Sequence, residues 1–171
     1  MNIRRALLED KIQNRKTALS IATYACSSNN RFKELIQCFL ANEYRLARRA
    51  AWSVSWAARK KPELIKPYIK DIVAQLSRTD VHDAVIRNSV RVLEEIEIPE
   101  SLHGDVMNAC FGFIEKPSVP VAIKVFSLTT LFNLSKYYPE IKGELKLIIE
   151  NNWNHESAAF KSRGKKILSS L

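Results

Sequence analysis

The sequence is poor in the residues that interrupt helices: 171 residues hold only 4 Gly and 6 Pro. That is too few for the many turns of an all-β fold or for a long flexible linker. No apolar run reaches the roughly eighteen residues that a membrane-spanning helix needs. Cysteine is scarce as well. Cys26, Cys38 and Cys110 are odd in number, widely spaced and never in C-x-x-C register, so a disulfide framework, a zinc site and dithiol chemistry all lack a pattern. Each thiol sits among apolar neighbours, which fits buried free cysteines in a reducing cytoplasm, the expected location. The three histidines, His82, His103 and His155, stand apart from one another beside expected turns, where surface or capping roles are expected. Glycine-rich phosphate loops, G-x-S-x-G and H-E-x-x-H are all missing. The reading therefore leans away from an enzyme and assigns no catalytic residue, metal or cofactor. The opening stretch Met1 to Asp10 has two arginines but no apolar core or small-residue cleavage site, and reads as the start of a helix rather than a signal peptide.

What is present is helical periodicity. Hydrophobic residues make up 46% and charged residues 26%, the proportions of a globular chain with a sizeable core. Phe32, Leu35, Ile36, Phe39 and Leu40 recur at the spacing of one helix face, as do Ile65, Ile69, Ile72, Val73 and Leu76. Pro62, Pro99 and Pro139 each precede a glutamate, a pair suited to the first turn of a helix: the proline lacks an N–H that would be unpaired there, and the acid meets the positive helix end. Pro117 and Pro120 bracket a further turn. Upstream of Pro62 the breaks must come from the stretch 9–14, from Ser27-Ser28-Asn29-Asn30 and from Ala41-Asn42. The pattern predicts ten helices, over 2–9, 14–27, 29–41, 44–60, 62–77, 82–97, 99–115, 119–137, 139–152 and 156–170, joined by connections short enough to make neighbours antiparallel.

Alternate helices resemble one another. Ala47-Arg48-Arg49-Ala50, Ile86-Arg87-Asn88-Ser89, Ile123-Lys124-Val125-Phe126 and Phe160-Lys161-Ser162-Arg163 each open with an apolar and then a basic residue. The anchors Arg48, Arg87, Lys124 and Lys161 are 39, 37 and 37 residues apart, and the Pro-Glu pairs follow the first three by 14, 12 and 15. A weaker copy begins at Arg15-Lys16-Thr17. Two independent markers with one period near 37 indicate stacked helical hairpins, which bury together the face that one hairpin cannot bury alone.

These residues resemble the HEAT/armadillo-like family of α-solenoids, whose unit is a helix, a turn often holding Asp or Asn, and a second helix with a basic residue near its start. Asn42, Asp80 and Asn154 would be the turn residues. The stretch Lys60-Lys61-Pro62-Glu63-Leu64-Ile65-Lys66-Pro67-Tyr68-Ile69 is the nearest match, including a proline inside the first helix. The tetratricopeptide positions for Trp, Gly-Tyr and Pro are missing. The resemblance implies an all-α superhelix of about five hairpins in one domain, with units near 1–28, 29–61, 62–98, 99–138 and 139–171. It also implies a right-handed curve whose concave side is lined by the second helices, and anchors that bridge to polar turn residues of adjacent units.

The formal charge of +9 is not spread evenly. Residues 1–80 hold 16 Lys+Arg against 7 Asp+Glu, whereas residues 81–171 hold 11 of each. The helix at 44–60 is the most informative segment of the basic half. Ala47, Ala50, Ala51, Val54, Ala57 and Ala58 make one side small enough for close packing. Arg45, Arg49, Trp52, Trp56 and Arg59 step by 4, 3, 4 and 3 along another, with Arg91 as a cation of the corresponding helix of the next unit. Cations interleaved with indoles suit phosphates and unstacked bases, and suit an acidic peptide equally. Alternatively both indoles pack on neighbouring helices under arginine stems. The helix at 119–137 is apolar nearly all round and is expected to be central. Two functions follow. One is a non-catalytic binding scaffold that presents its concave surface to a protein partner, an acidic one included. The alternative is nucleic-acid binding through the Arg/Trp face, at its extreme an activity like that of the HEAT-like alkylpurine glycosylases, for which Glu95 and Asp83 are the nearby acids.

Overall fold

The computed structural model describes residues 1–9 and 12–171, which form two compact bodies, 1–96 and 97–171. Every regular element among them is helical. The first body holds α1 (Ile3–Glu9), α2 (Arg15–Ala25), α3 (Asn29–Phe39), α4 (Tyr44–Lys60), α5 (Pro62–Ile65), α6 (Ile69–Ala74) and α7 (Asp83–Leu93). Polar side chains start four of these. Asn2, Asn14 and Ser28 accept the backbone N–H groups of Arg5, Thr17 and Arg31, and His82 accepts that of Ala84, each relieving a donor that has no helical partner. The expected break over 9–14 includes Asp10 and Lys11, which lie outside the described residues. The predicted helix at 62–77 is interrupted rather than continuous. Pro67 lacks the N–H that an α-helix would use, and the chain tightens to a 3-10 turn at Lys66–Tyr68 and again at Gln75–Ser77.

α4 is the centre of this body and packs on α1, α2, α3, α5 and α7. The small side expected of it makes this possible: Ala47, Ala50, Ala51, Val54, Ala57 and Ala58 are all buried. Around it the core is filled by Leu7, Ile21, Phe32, Leu35, Phe39, Leu46, Ile65, Ile72 and Leu93. α2 packs on α4, and α4 on α7, so the second helices of successive hairpins lie side by side in one row.

The second body holds α8 (His103–Glu115), α9 (Val121–Leu134), α10 (Ile141–Asn152) and α11 (Ala158–Leu168). α9 packs on α8, α10 and α11, and only Val121 at its start is exposed, which is the central position its all-round apolar sequence predicts. Gly164 lets α11 approach α10: a Cβ there would lie 2.9 Å from Ile149 Cγ2. His103 is neither a surface residue nor a cap. It is buried, with Nε2 2.8 Å from the Ile98 carbonyl and Nδ1 3.1 Å from the Tyr138 hydroxyl, and it pins the start of α8 to the turn after α9.

Side-chain bonds between neighbouring hairpins repeat the period seen in the sequence. Arg59 with Glu95 spans 36 residues, Lys60 with Thr23 spans 37, Arg78 with Asn42 spans 36 and Arg163 with Thr129 spans 34. No helix among the described residues is long and apolar enough to cross a membrane.

Candidate binding face on the second helices of residues 1–96

The outward side of α4 is carried by Arg45, Arg48, Trp52, Trp56 and Arg59, all exposed or half-buried. Arg49, expected on this side, is only 3% exposed. Its Nη1 donates to the Leu7 carbonyl at 2.7 Å, while its own carbonyl accepts from Gln13 Nε2 at 2.9 Å. The C-terminal turn of α1 presents unpaired carbonyls and the negative end of the helix dipole, and a guanidinium answers both. Arg45 reaches the same helix end more loosely, 3.5 Å from the Leu8 carbonyl. Arg48, expected as a repeat anchor, is exposed instead. The two adjacent arginines have exchanged roles: Arg49 does the inward bridging, and Arg48 takes its place outside.

The other anchors divide likewise. Lys124 is buried and ion-paired with Glu156, the residue just before α11 is capped. Arg87 is exposed, and Lys161 is half-buried. Of the expected turn residues, Asn42 and Asp80 meet at one guanidinium: Arg78 donates to Asn42 Oδ1 at 3.3 Å and to Asp80 Oδ1 at 2.9 Å. Arg78 holds the Asp80 carboxyl below the usual carboxylate range through that bond. Asn154 is exposed and Glu156 serves in its stead.

Two of the predicted site residues, Arg59 and Arg91, meet at Trp56, joined there by Arg15. Three guanidiniums lie over its ring, Arg15 from α2 at 5.4 Å from the ring centre and Arg59 from α4 and Arg91 from α7 at 5.5 Å each. All are within the range of cation–π attraction. The indole N–H is buried without a hydrogen-bond partner, so the ring offers its π system to the cations rather than a donor to solvent. Arg59 also grips Glu95 with both arms of its fork, Nε to Oε2 at 2.8 Å and Nη2 to Oε1. Burial pushes the Arg91 guanidinium below its ordinary value, and the charge of Arg59 pushes the same way, against the carboxylates of Glu95 and Glu94. Trp52, one turn from Trp56 along the same side of α4, is half-buried.

Arg15 was visible in the sequence only as part of the weak first repeat copy, and Glu95 only as an isolated acid. The repeat period carries the missing signal. Residues one period apart on second helices and the turns that end them lie side by side, so Arg59 reaches Glu95 36 positions on, just past α7, and Trp56 reaches Arg91 35 positions on. Glu95 is thus engaged by arginine, and Asp83 is an exposed first-turn residue of α7. Among the described residues no group of three or more His, Cys, Asp or Glu side chains could hold a metal ion.

Counted over the two bodies, residues 1–96 carry 18 Lys+Arg against 10 Asp+Glu, and residues 97–171 carry 9 against 8. The basic excess and the Trp56 cluster therefore belong to the same body.

No curated protein sequence and no solved structure matches the chain. The family model of the HEAT repeat domain matches residues 4–171, nearly the whole length. Hairpins of the predicted period, bonded at that period within each body, agree with this match, and the chain belongs to the HEAT-repeat family.

Proposed function

We propose that this chain is a non-catalytic helical-repeat interaction module, and that the second-helix face of α2, α4 and α7 takes an acidic segment of a protein partner. The observation that carries the reading is the set of three guanidiniums around Trp56. An indole has two faces, and three arginines within 5.5 Å leave little room for a nucleobase to stack. The cations themselves are what such a face offers, and their partner is a carboxylate or a phosphate. Arg48, Trp52 and Lys60 extend the face along α4, while Arg45 and Arg49 brace it against α1. The three buried free thiols fit a reducing compartment such as the cytoplasm.

A second reading places a nucleic-acid backbone on the same cations, favoured by the exposed basic residues Arg48, Arg59 and Lys60 of one helix. One titration separates the two. A Glu-rich peptide and a DNA duplex are titrated into the full chain over a salt series by calorimetry. The acidic-segment reading expects saturable peptide binding at about 0.1 M salt that is tighter than duplex binding, and about a tenfold loss in the Arg15→Ala, Arg91→Ala double variant. Tighter duplex binding with a steep salt slope supports the second reading, and binding of neither overturns both.

A further inference from the structure

Glu95 is an unexpected presence on a face read as a receptor for carboxylates. Its two oxygens meet Arg59 in the fork-to-fork geometry by which arginine recognises a carboxylate. The pair is about a third exposed on each side, at 30% and 36%. An ion pair so open to water holds its partner weakly, by at most about fivefold. Beside it, between α4 and α7, lies a cleft of about 100 Å³ lined by Ala58, Arg59, Pro62, Val92 and Glu95 among others. That is the volume of about three waters in the liquid, enough room for a carboxylate to shift or be replaced. Arg15, Arg59 and Arg91 together outnumber the Glu94 and Glu95 carboxylates near them.

We propose that Arg59 is the carboxylate-docking point of this face, and that Glu95 fills it in the unbound protein as an internal stand-in for an Asp or Glu side chain of the partner. Docking is then an exchange. The incoming carboxylate takes the Arg59 fork, Glu95 turns out to solvent, and the number of charge-assisted hydrogen bonds on Arg59 is conserved. Selectivity follows, because a ligand that cannot offer two acceptor oxygens to the fork competes with Glu95 less well, by up to about fivefold. This inference rests on the acidic-segment reading above and adds an exchange step to it.

The test measures binding of a fluorescently labelled Glu-rich peptide to the full chain and three variants. Glu95→Gln removes the competitor and is expected to raise affinity by about two- to fivefold. Glu63→Gln makes the same change in net charge at an exposed residue of α5 outside the cluster, and is expected to change affinity by less than about twofold. Arg59→Lys keeps the charge, loses the fork and is expected to lower affinity severalfold. Equal gains from Glu95→Gln and Glu63→Gln would reduce Glu95 to one charge among many, and a loss of affinity in Glu95→Gln would make it part of the receptor. Either result overturns the exchange while leaving the acidic-segment reading in place. Absence of peptide binding by wild type and Glu95→Gln alike overturns both.

Discussion

The two bodies of this chain use the same hairpin plan and dress it with different surfaces. Each buries a cation near the start of a central second helix, Arg49 on α4 and Lys124 on α9. In residues 1–96 the Arg49 guanidinium donates to the Leu7 carbonyl at the end of α1. In residues 97–171 Lys124 is paired with the Glu156 carboxylate. The second helices differ in the same sense. α4 is small on its inner side and basic and aromatic on its outer side, whereas α9 is enclosed almost all round. The repeat therefore specifies a hairpin and its neighbours, and leaves the outer surface free to vary. Here the variation concentrates positive charge in one body, which is where the Trp56 cluster lies.

The sharpest way to break this comparison is to remove each buried cation. Lys124→Met strands the Glu156 carboxylate, which is 12% exposed, and is expected to cost about 3 kcal/mol in denaturant unfolding, with most of it recovered by adding Glu156→Gln. Arg49→Met removes the buried bond to the Leu7 carbonyl and is expected to cost about 2 kcal/mol. A cost for Lys124→Met no greater than that of Arg49→Met, or no recovery on adding Glu156→Gln, would contradict this ranking.

Which arginine turns inward was the main feature the sequence did not disclose. Adjacent residues differ by about 100° around a helix, and Arg48 and Arg49 both lie at the edges of the apolar side. The choice depends on how α4 is rolled against α1, which is a tertiary matter. Some helix boundaries, by contrast, are legible because their causes are local, as at Pro62 and at the Ser28 cap before α3, whereas α8 and α10 begin only at His103 and Ile141, past the starts expected at Pro99 and Pro139, and α7 and α9 end at Leu93 and Leu134, short of the expected 97 and 137. The interruption at Pro67 is equally local, but the apolar spacing of Ile65, Ile69 and Ile72 is that of one continuous helix and masks it. The Trp56 cluster was half legible. Trp56, Arg59 and Arg91 were singled out, but pairing Arg59 with Glu95 required applying the repeat period across helices rather than along one.

Two smaller effects sharpen the comparison within the second body and between the helix starts. Gly164→Ala places a methyl 2.9 Å from Ile149 and is expected to cost about 1–3 kcal/mol, whereas Gly143→Ala, with open space around it in α10, is expected to gain about 0.5–1 kcal/mol. Thermal melts of the two variants should move in opposite directions.

The smallest effect concerns pH. His82 caps α7 through Nδ1, which requires the neutral ring, while Ser157 caps α11 with a hydroxyl that does not titrate. Burial, and the nearby Arg48 charge, hold the His82 pKa below its ordinary 6.5, against the pull of Asp83. The unfolded chain then binds the proton more readily than the folded one. The cap contribution is complete above about pH 6.5 and declines as pH falls from there through the folded value. His82→Asn, which caps without titrating in this range, should remove that decline, a change of about 1 kcal/mol or less seen in amide exchange of α7 but not of α11.

The central claim is that the cations around Trp56 form the receptor. It is tested most directly by making Trp56 the only tryptophan, with Trp52→Phe and Trp153→Phe, and following its fluorescence as a Glu-rich peptide is added. The account predicts a saturable change in emission at low salt that salt reverses and that Arg15→Ala with Arg91→Ala abolishes. Peptide binding by calorimetry with no change at Trp56, or a change indifferent to those two arginines, would contradict it.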